Sequence, residues 1–116
     1  LTVQWEFQVV SIKSPREIEL MRKPGRVVAQ ILREMGEMVA PGVTTFEIDR
    51  FAESRIKELG AVSAFKGYHG FPACVCISVN EEVVHGIPSK KRRLSEGDIV
   101  GIDFGVVVDG WYGDSA

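Results

Sequence analysis

The segment that most constrains this fold is Asp109-Gly110, which lies between the β-branched run Val106 to Val108 and the aromatic pair Trp111-Tyr112. An Asp-Gly pair in this setting predicts a two-residue β-hairpin turn, because the turn requires positive φ angles that Asp and Gly tolerate. The residues on either side then belong to neighbouring antiparallel strands. The last part of the sequence is therefore expected to form part of a β-sheet.

The predicted hairpin brings two aspartates onto one face of that sheet. If Asp109-Gly110 is the loop, Gly105 faces Asp114 directly, and Asp103, two residues from Gly105, shares its face. The two carboxylates are then diagonal neighbours, with backbones roughly 7 to 8 Å apart. Short acidic side chains can close such a span around one or two hard or borderline cations. Asp109 is expected to cap backbone N–H groups in the turn.

Asp103 also interrupts the apolar run Ile99-Val100-Gly101-Ile102. A lone carboxylate among apolar neighbours is costly unless it is paired or coordinated. An acidic pair beside a turn can equally have a purely structural role, and the spacing alone leaves both interpretations open. The pair is a candidate metal site that needs support from elsewhere in the chain.

The composition is that of an ordinary soluble domain, with 116 residues, 45% hydrophobic and 26% charged. The formal net charge is -2, so no overall field attracts nucleic acid or an anionic membrane. One basic block, Lys90-Lys91-Arg92-Arg93, interrupts this pattern, and a solvated loop is a commoner role for such a block than an RNA contact. With no apolar run of membrane-spanning length and no signal-peptide pattern, we expect neither a membrane nor a specific nucleic acid as partner.

Cys74 and Cys76 are separated by one residue on a predicted strand, so both point to the same face and are poorly placed to form a disulfide with each other. No second Cys or His pair stands at metal-ligand spacing. Small buried thiols are the favoured interpretation, and the chain is expected to reside in a reducing compartment, the cytoplasm.

Two helices are predicted before the sheet. Ser14-Pro15-Arg16-Glu17 forms a capping box with proline at the first helical position, and the apolar positions continue at helical spacing from Ile18 to Val39, although Pro24 is expected to kink this helix. Thr44-Thr45-Phe46-Glu47 forms a second capping box, and Gly60 is a natural stop. Residues 2–10 alternate apolar and polar side chains, which is typical of a half-buried strand.

Five ordered segments resemble the type I methionine aminopeptidases. They are Ser11 to Arg22, Gly67 to Pro72, Cys76 to Pro88 with its distinctive Asn80-Glu-Glu-Val-Val-His-Gly-Ile-Pro88, Gly97 to Gly105, and Asp109 to Ala116. The resemblance implies the N-terminal half of the pita-bread fold, an α/β (α+β) arrangement of two helices packed on an antiparallel sheet. Residues 11–116 would form this truncated half-domain, and residues 1–10 an N-terminal extension or edge strand.

The resemblance also implies a site that holds two divalent metal ions, of cobalt, manganese, iron or zinc. By the family's pattern, Asp103 would chelate one ion and Asp114 would bridge both. The remaining ligands, one histidine and two glutamates, belong to the second half of the family's fold. Because two carboxylates from one hairpin cannot enclose such a centre, this chain alone is expected to bind metal weakly or only in part.

The substrate site follows from the same resemblance. His85 matches the histidine that contacts the substrate and stabilises the reacting carbonyl, a role that suits an imidazole. Tyr68, Phe71 and Cys76 match positions that line the pocket for the methionine side chain, and His69 lies close to that pocket in the family. Phe65 is a further candidate. Taken alone, these residues are equally compatible with structural packing.

The resemblance implies metal-dependent removal of the initiator methionine from nascent proteins, in proximity to the ribosome, with little or no activity for this partial chain alone. One alternative is a pita-bread aminopeptidase or dipeptidase acting next to proline, since such enzymes share the metal ligands. Another is a non-catalytic pita-bread binding module. An exposed half-interface is also expected to cause self-association.

Overall fold

A computed structural model of the chain describes residues 11–82 and 86–116. The helices are α1 (Pro15–Met38) and α2 (Thr45–Glu58), with a short 3-10 helix at Tyr68–Gly70, and the strands are β1 (Val62–Ser63), β2 (Val75–Val79), β3 (Val100–Val108) and β4 (Trp111–Ser115). The strand predicted over residues 2–10 and the candidate catalytic His85 lie outside the described residues. Within the described part of the chain, no helix is long and apolar enough to cross a membrane.

Both predicted capping boxes are confirmed. The Ser14 hydroxyl accepts a hydrogen bond from the Glu17 N–H at 3.2 Å, and the Glu17 carboxylate accepts one from the Ser14 N–H at 3.0 Å. Thr44 and Glu47 make the same reciprocal pair at the start of α2. These side chains satisfy N–H groups that the first helical turn leaves without partners.

The predicted end of α2 is also confirmed. The helix ends at Glu58, and Gly60 adopts a positive φ of 71° while its N–H reaches the Lys57 carbonyl. Helix α1 continues through Pro24 to Met38 as one α-helix, with Pro24 on its buried side.

The apolar stripe of α1 is only partly buried. Val28, Ile31 and Met35 are buried, whereas Ile18 and Met21, which share the helical spacing, are exposed. The first turns of α1 therefore leave part of their apolar stripe in contact with water.

The sheet is antiparallel, as expected, and β3 is its central strand. The register pairs β2 with Val100 to Phe104 and β1 with Val106 and Val107 along one edge of β3. Strand β4 pairs with the other edge, opposite Phe104 to Val108. The long central strand therefore carries contacts to every other strand.

Both helices cover the same face of the sheet. Helix α1 packs on β3 and β4, and α2 packs on β1 and β2. The side chains between them form one hydrophobic core whose most buried members are Ile31, Met35, Ile48, Ala52, Val75, Ile77, Val79, Phe104 and Val106. The architecture is thus the predicted pair of helices on an antiparallel sheet, with the opposite face left open for other use.

Candidate functional site

The hairpin between β3 and β4 has the predicted turn and register. Asp109 and Gly110 have positive φ angles of 51° and 82° and form the two-residue loop between the strands. Gly105 pairs with Asp114, as the spacing predicted. Asp103 lies two residues before Gly105, so the register puts Asp103 and Asp114 on the same open face of the sheet.

The exposure of Asp103 corrects one part of the sequence argument. Its apolar neighbours Ile102 and Phe104 point toward the helices, because side chains alternate along a strand, while Asp103 itself is exposed on the open face. The sequence predicts that this carboxylate is buried among apolar neighbours, but in the structure it is in contact with water. It therefore needs no partner to offset a desolvation penalty.

Cys76 lies next to Asp103 and is close enough to Asp114 for its charge to act on the thiol. It pairs with Asp103 across β2 and β3, which places the thiol on the open face next to that carboxylate. Burial raises the pKa of the Cys76 thiol, and the negative charges of Asp103 and Asp114 raise this pKa further. Both aspartates therefore contribute to the raised pKa of this one buried thiol.

A loop rich in left-handed backbone conformations covers the neighbouring part of this face. Gly67, His69 and Gly70 have φ angles of 87°, 48° and 76°, which turn the chain sharply around the short 3-10 helix. The rings of Tyr68 and His69 contact each other edge to face, with centroids 4.3 Å apart. Phe65 and Phe71 form a second edge-to-face pair at 6.3 Å, so aromatic contacts hold the loop together.

This loop and the sheet form the walls of an open cavity of about 490 Å³, a volume within the range of small-ligand sites. Its walls contain most of the residues singled out from the sequence. The lining residues are Phe65, Tyr68, His69, Gly70, Phe71, Pro72, Cys76, Ile87 and Asp103. Asp114 is not among them, so one aspartate borders the cavity and the other lies beyond it along the sheet.

The chain next to His85 is held tightly against β2. The Gly86 carbonyl accepts a hydrogen bond from the Ile77 N–H at 2.9 Å, and its N–H donates to the Ser78 hydroxyl at 3.2 Å. A Cβ at position 86 would lie 2.0 Å from the Ile77 carbonyl oxygen, so only glycine fits there. His85 itself lies outside the described residues, and its role stays a prediction.

Asp49 is a supporting residue that the sequence did not reveal. One of its carboxylate oxygens accepts the backbone N–H groups of Cys74 and Val75 at 2.9 and 3.0 Å, and the residue is only 7% exposed. Burial raises the pKa of Asp49, while the two N–H groups oppose that shift. This contact from α2 fixes the start of β2, the strand that carries Cys76.

The donor set suits a divalent cation but does not complete a site. Carboxylate oxygens are ligands for hard and borderline cations, and Asp103 and Asp114 present them from adjacent strands. Within residues 11–82 and 86–116, no cluster of three or more His, Cys, Asp or Glu side chains is arranged to hold a metal ion. The aspartates fit a metal site to which other residues also contribute.

Comparisons with known proteins agree on one family. The model for metallopeptidase family M24 matches residues 19–116. The chain is 50% identical over 108 residues to the methionine aminopeptidase of Clostridium acetobutylicum, an alignment that covers 93% of this chain and 43% of that protein. It therefore spans well under half the length of this relative.

Solved structures give the same result. The crystal structure of methionine aminopeptidase from Thermotoga maritima superposes with a TM-score of 0.87 at 46% identity, covering 91% of this chain and 43% of that one. The prolidase from Pyrococcus furiosus shares the fold at a TM-score of 0.74 and 26% identity, covering 89% of this chain and 29% of that one. The proline-directed relative is thus the more distant of the two.

Proposed function

Because the chain belongs to metallopeptidase family M24, we propose that it supplies the N-terminal half of a metal-dependent aminopeptidase. This enzyme would remove the initiator methionine from nascent proteins. The observation that carries the proposal is the meeting of two aspartates, a thiol and an aromatic cavity on one face of the sheet. An exopeptidase needs both a charge-stabilising centre and an adjoining pocket for the terminal side chain. The aspartates would supply part of the centre, and the thiol and the aromatic cavity would supply part of the pocket.

We assign Asp103 and Asp114 as ligands to divalent metal ions, two by the family's pattern, drawn from cobalt, manganese, iron or zinc. When bound, such ions polarise a scissile carbonyl and lower the pKa of water, which makes amide hydrolysis feasible near neutral pH. The two carboxylates would offset the positive charge of the ions, on a face whose other side chains are apolar or neutral. By the family's pattern the further ligands belong to the second half of the fold, so the chain alone is expected to bind the ions weakly.

We assign the cavity as the pocket for the methionine side chain. Tyr68, Phe71 and Cys76 line it, and Phe65 extends the aromatic wall. A polarizable thioether makes favourable contacts with aromatic rings, so this lining suits methionine better than a charged or strongly polar side chain. His69 borders the same cavity and is assigned as a substrate contact.

His85 is assigned as the catalytic histidine. An imidazole N–H can donate a hydrogen bond to the substrate carbonyl and stabilise the negative charge that develops on its oxygen during hydrolysis. Gly86, the next residue along the chain, is hydrogen-bonded to Ile77 and Ser78 of β2.

The substrates would be peptides and nascent proteins with an N-terminal methionine, which implies work in the cytoplasm in proximity to the ribosome. Both described cysteines are free thiols, in keeping with a reducing compartment. The proline-directed alternative is disfavoured by the much higher identity to methionine aminopeptidases. A non-catalytic module would have no need of two carboxylates on one face of the sheet, one of them at the border of an apolar pocket.

The proposal is tested in a chimera in which residues 19–116 replace the matching part of the Clostridium acetobutylicum relative. We expect the chimera with manganese or cobalt to release methionine from a Met-Ala-Ser peptide and to leave an Ala-Pro peptide intact. Asp103→Asn and Asp114→Asn should each abolish release while the circular dichroism spectrum stays unchanged. A folded, metal-loaded chimera that releases no methionine, or that prefers the proline peptide, would overturn the assignment.

The isolated chain provides the complementary measurement. With either metal it should release little or no methionine, and titration calorimetry should show only weak binding, because the coordination positions not filled by Asp103 and Asp114 remain open to water. A clear rate of methionine release by the isolated chain would show that these residues are sufficient, contrary to the proposal.

A further inference from the structure

A short basic turn lies away from the cavity, at the start of α2. We use the name basic turn for residues Ser89–Arg93, which contain Lys90, Lys91, Arg92 and Arg93 without an acidic residue. The Arg92 N–H reaches the Ser89 carbonyl at 3.3 Å, and the Ser89 hydroxyl accepts the Lys91 N–H at 3.1 Å. These bonds close a β-turn with the two lysines at its tip.

The basic turn is fixed to the protein on both sides. Thr45 exchanges hydrogen bonds with Ser89, since its hydroxyl accepts the Ser89 N–H at 2.9 Å and donates to the Ser89 carbonyl at 3.3 Å. The Thr45 N–H also reaches the Arg92 carbonyl at 3.0 Å, and the Arg93 guanidinium donates to the Gly42 carbonyl at 2.8 Å. A turn held in this way loses little conformational freedom when it binds a partner.

Three of the four cations of the basic turn are available for a partner, while Arg92 is half-buried with its Nε atom out of contact with water. Lys90, Lys91 and Arg93 are exposed, and none of the four cations in the turn forms an ion pair with a carboxylate of the described residues. Arg50, on the adjoining first turns of α2, adds a fifth cation. Its side chain is 65% exposed, and its guanidinium lies 3.8 Å from the Glu53 carboxylate, a long surface ion pair of the kind that contributes little energy. The result is a dense positive cluster on a slightly acidic protein.

Phe46 organises this cluster. The Lys90 ammonium lies 4.8 Å from the centre of the Phe46 ring, and the Arg50 guanidinium lies 6.0 Å from it. The ring quadrupole attracts both cations, so two side chains from separate segments are held at one aromatic ring. The positive charges are thereby concentrated and not spread over the surface.

We propose that the basic turn, together with Arg50, binds the phosphate backbone of single-stranded RNA. Closely spaced lysines and arginines match a chain of phosphates, and arginine can bind a phosphate through two parallel hydrogen bonds. The turn offers no helix or β-ribbon that could enter a DNA groove, whereas a flexible single strand can follow a compact cluster. It also contains no apolar side chain for insertion into a lipid surface.

The test measures fluorescence anisotropy of a labelled oligouridylate of about 20 nucleotides with the full chain, from about 50 mM to about 200 mM salt. Four phosphate contacts, one from each of the exposed cations Lys90, Lys91, Arg93 and Arg50, predict a slope of log affinity against log salt of about -3. Lys90→Glu/Lys91→Glu should raise the dissociation constant at low salt by about tenfold or more. The same change should reduce the magnitude of the salt slope by about half.

The matched control is Arg16→Glu/Arg26→Glu, which makes the same change in net charge at two exposed positions of α1. This control should bind within about twofold of the unmodified chain, with unchanged thermal unfolding for both variants. An equal loss in the control, or no binding at low salt, would overturn the proposal. So would equal affinity for anionic phospholipid vesicles, or equal competition by polyglutamate, because either result would show a surface that accepts any polyanion.

Discussion

At the scale of single residues, Cys76 is the most informative position of the site. Its thiol is buried, and the residue is the register partner of Asp103 across strands β2 and β3. The pKa of the thiol is raised mainly by burial and further by the charges of Asp103 and Asp114. One thiol thus senses both carboxylates. Its titration therefore measures whether the two charges converge, without any need for enzymatic activity.

We predict that Asp103→Asn/Asp114→Asn lowers the pKa of Cys76, because removing two nearby negative charges stabilises the thiolate. The measurement is the pH dependence of alkylation by iodoacetamide, with the Cys76 peptide resolved from the Cys74 peptide by mass spectrometry. A divalent cation added to the unmodified chain should shift the pKa in the same direction. Asp109→Asn, in the hairpin loop, serves as the control and should leave the Cys76 titration unchanged. A thiol pKa that ignores both aspartates would contradict the convergence of their charges.

The residues of the site differ in how visible they are in the sequence. The pairing of Gly105 with Asp114, which makes Asp103 a diagonal neighbour of Asp114, is predictable because one local turn determines the register. The hydrogen bonds from the Cys74 and Val75 N–H groups to Asp49 join residues that are 25 and 26 positions apart along the chain. The residues around an aspartate inside a helix do not indicate such a contact. Long-range polar contacts of this kind become evident only when the helix and the strand have been packed together.

At the scale of secondary structure, both helix starts and the hairpin were predicted because each depends on four or fewer consecutive residues. The pairing of β1 and β2 with the same edge of β3 depends on loops of very different length, and no sequence pattern encodes it. The close approach of β4 to α1 is a further example. A Cβ on Gly113 would lie 2.7 Å from the Pro24 carbonyl carbon and 2.8 Å from its oxygen.

We therefore predict that Gly113→Ala destabilises the chain by about 1 to 3 kcal/mol, because the added methyl group meets rigid backbone and must displace β4 from α1. Urea unfolding followed by circular dichroism measures this change. Gly36→Ala is the matched control, since Gly36 is exposed on α1 and an added Cβ meets no atom within 4 Å. That control should stabilise the chain by about 0.5 kcal/mol through higher helix propensity. Equal effects of the two substitutions would show that β4 does not depend on this contact.

An ion pair connects the two helices. The Arg55 guanidinium donates to both oxygens of Glu34, at 2.7 and 3.0 Å. Hydrogen bonds from Arg55 and then from Gln30 lower the pKa of Glu34 below its ordinary value of 4.5. A carboxyl whose pKa is lowered by folding contributes stability above its unfolded pKa, and this contribution disappears as the pH falls through the folded pKa.

We predict that Glu34→Gln lowers the free energy of unfolding near pH 7. The difference from the unmodified chain should decrease as the pH falls below 4.5 and disappear once the pH lies below the lowered pKa of Glu34 in the folded chain. Urea unfolding at a series of pH values measures it. Glu37→Gln removes an exposed carboxylate of the same helix that forms no ion pair among the described residues, and should leave the acid dependence as in the unmodified chain. A Glu34→Gln difference that stays constant from neutral to acidic pH would exclude the ion pair as its cause.

At the scale of the whole molecule, the two faces of the sheet are unequal. The helices cover one face and form the core with it, while the other face presents an apolar row that crosses three strands. The row consists of Val62 on β1, Val107 on β3 and Tyr112 on β4, since the register pairs both Val62 and Tyr112 with Val107. Val62 is 66% exposed and Tyr112 is 68% exposed, so much of this apolar area is in contact with water.

We predict that the isolated chain self-associates through this row, because burying contiguous apolar surface against a second copy removes it from water at about 25 cal/mol per Å². Sedimentation velocity at micromolar concentrations should show an average mass that increases with protein concentration. Val62→Thr/Tyr112→Thr places β-branched side chains suited to strands at both positions but removes apolar area, and should shift the protein toward monomer. Ile12→Thr/Ile99→Thr, at two exposed positions outside the row, removes comparable apolar area and should leave the association unchanged. A chain that remains monomeric throughout this range would contradict the prediction, and equal shifts in both double variants would assign the association to general surface hydrophobicity instead of to the open face of the sheet.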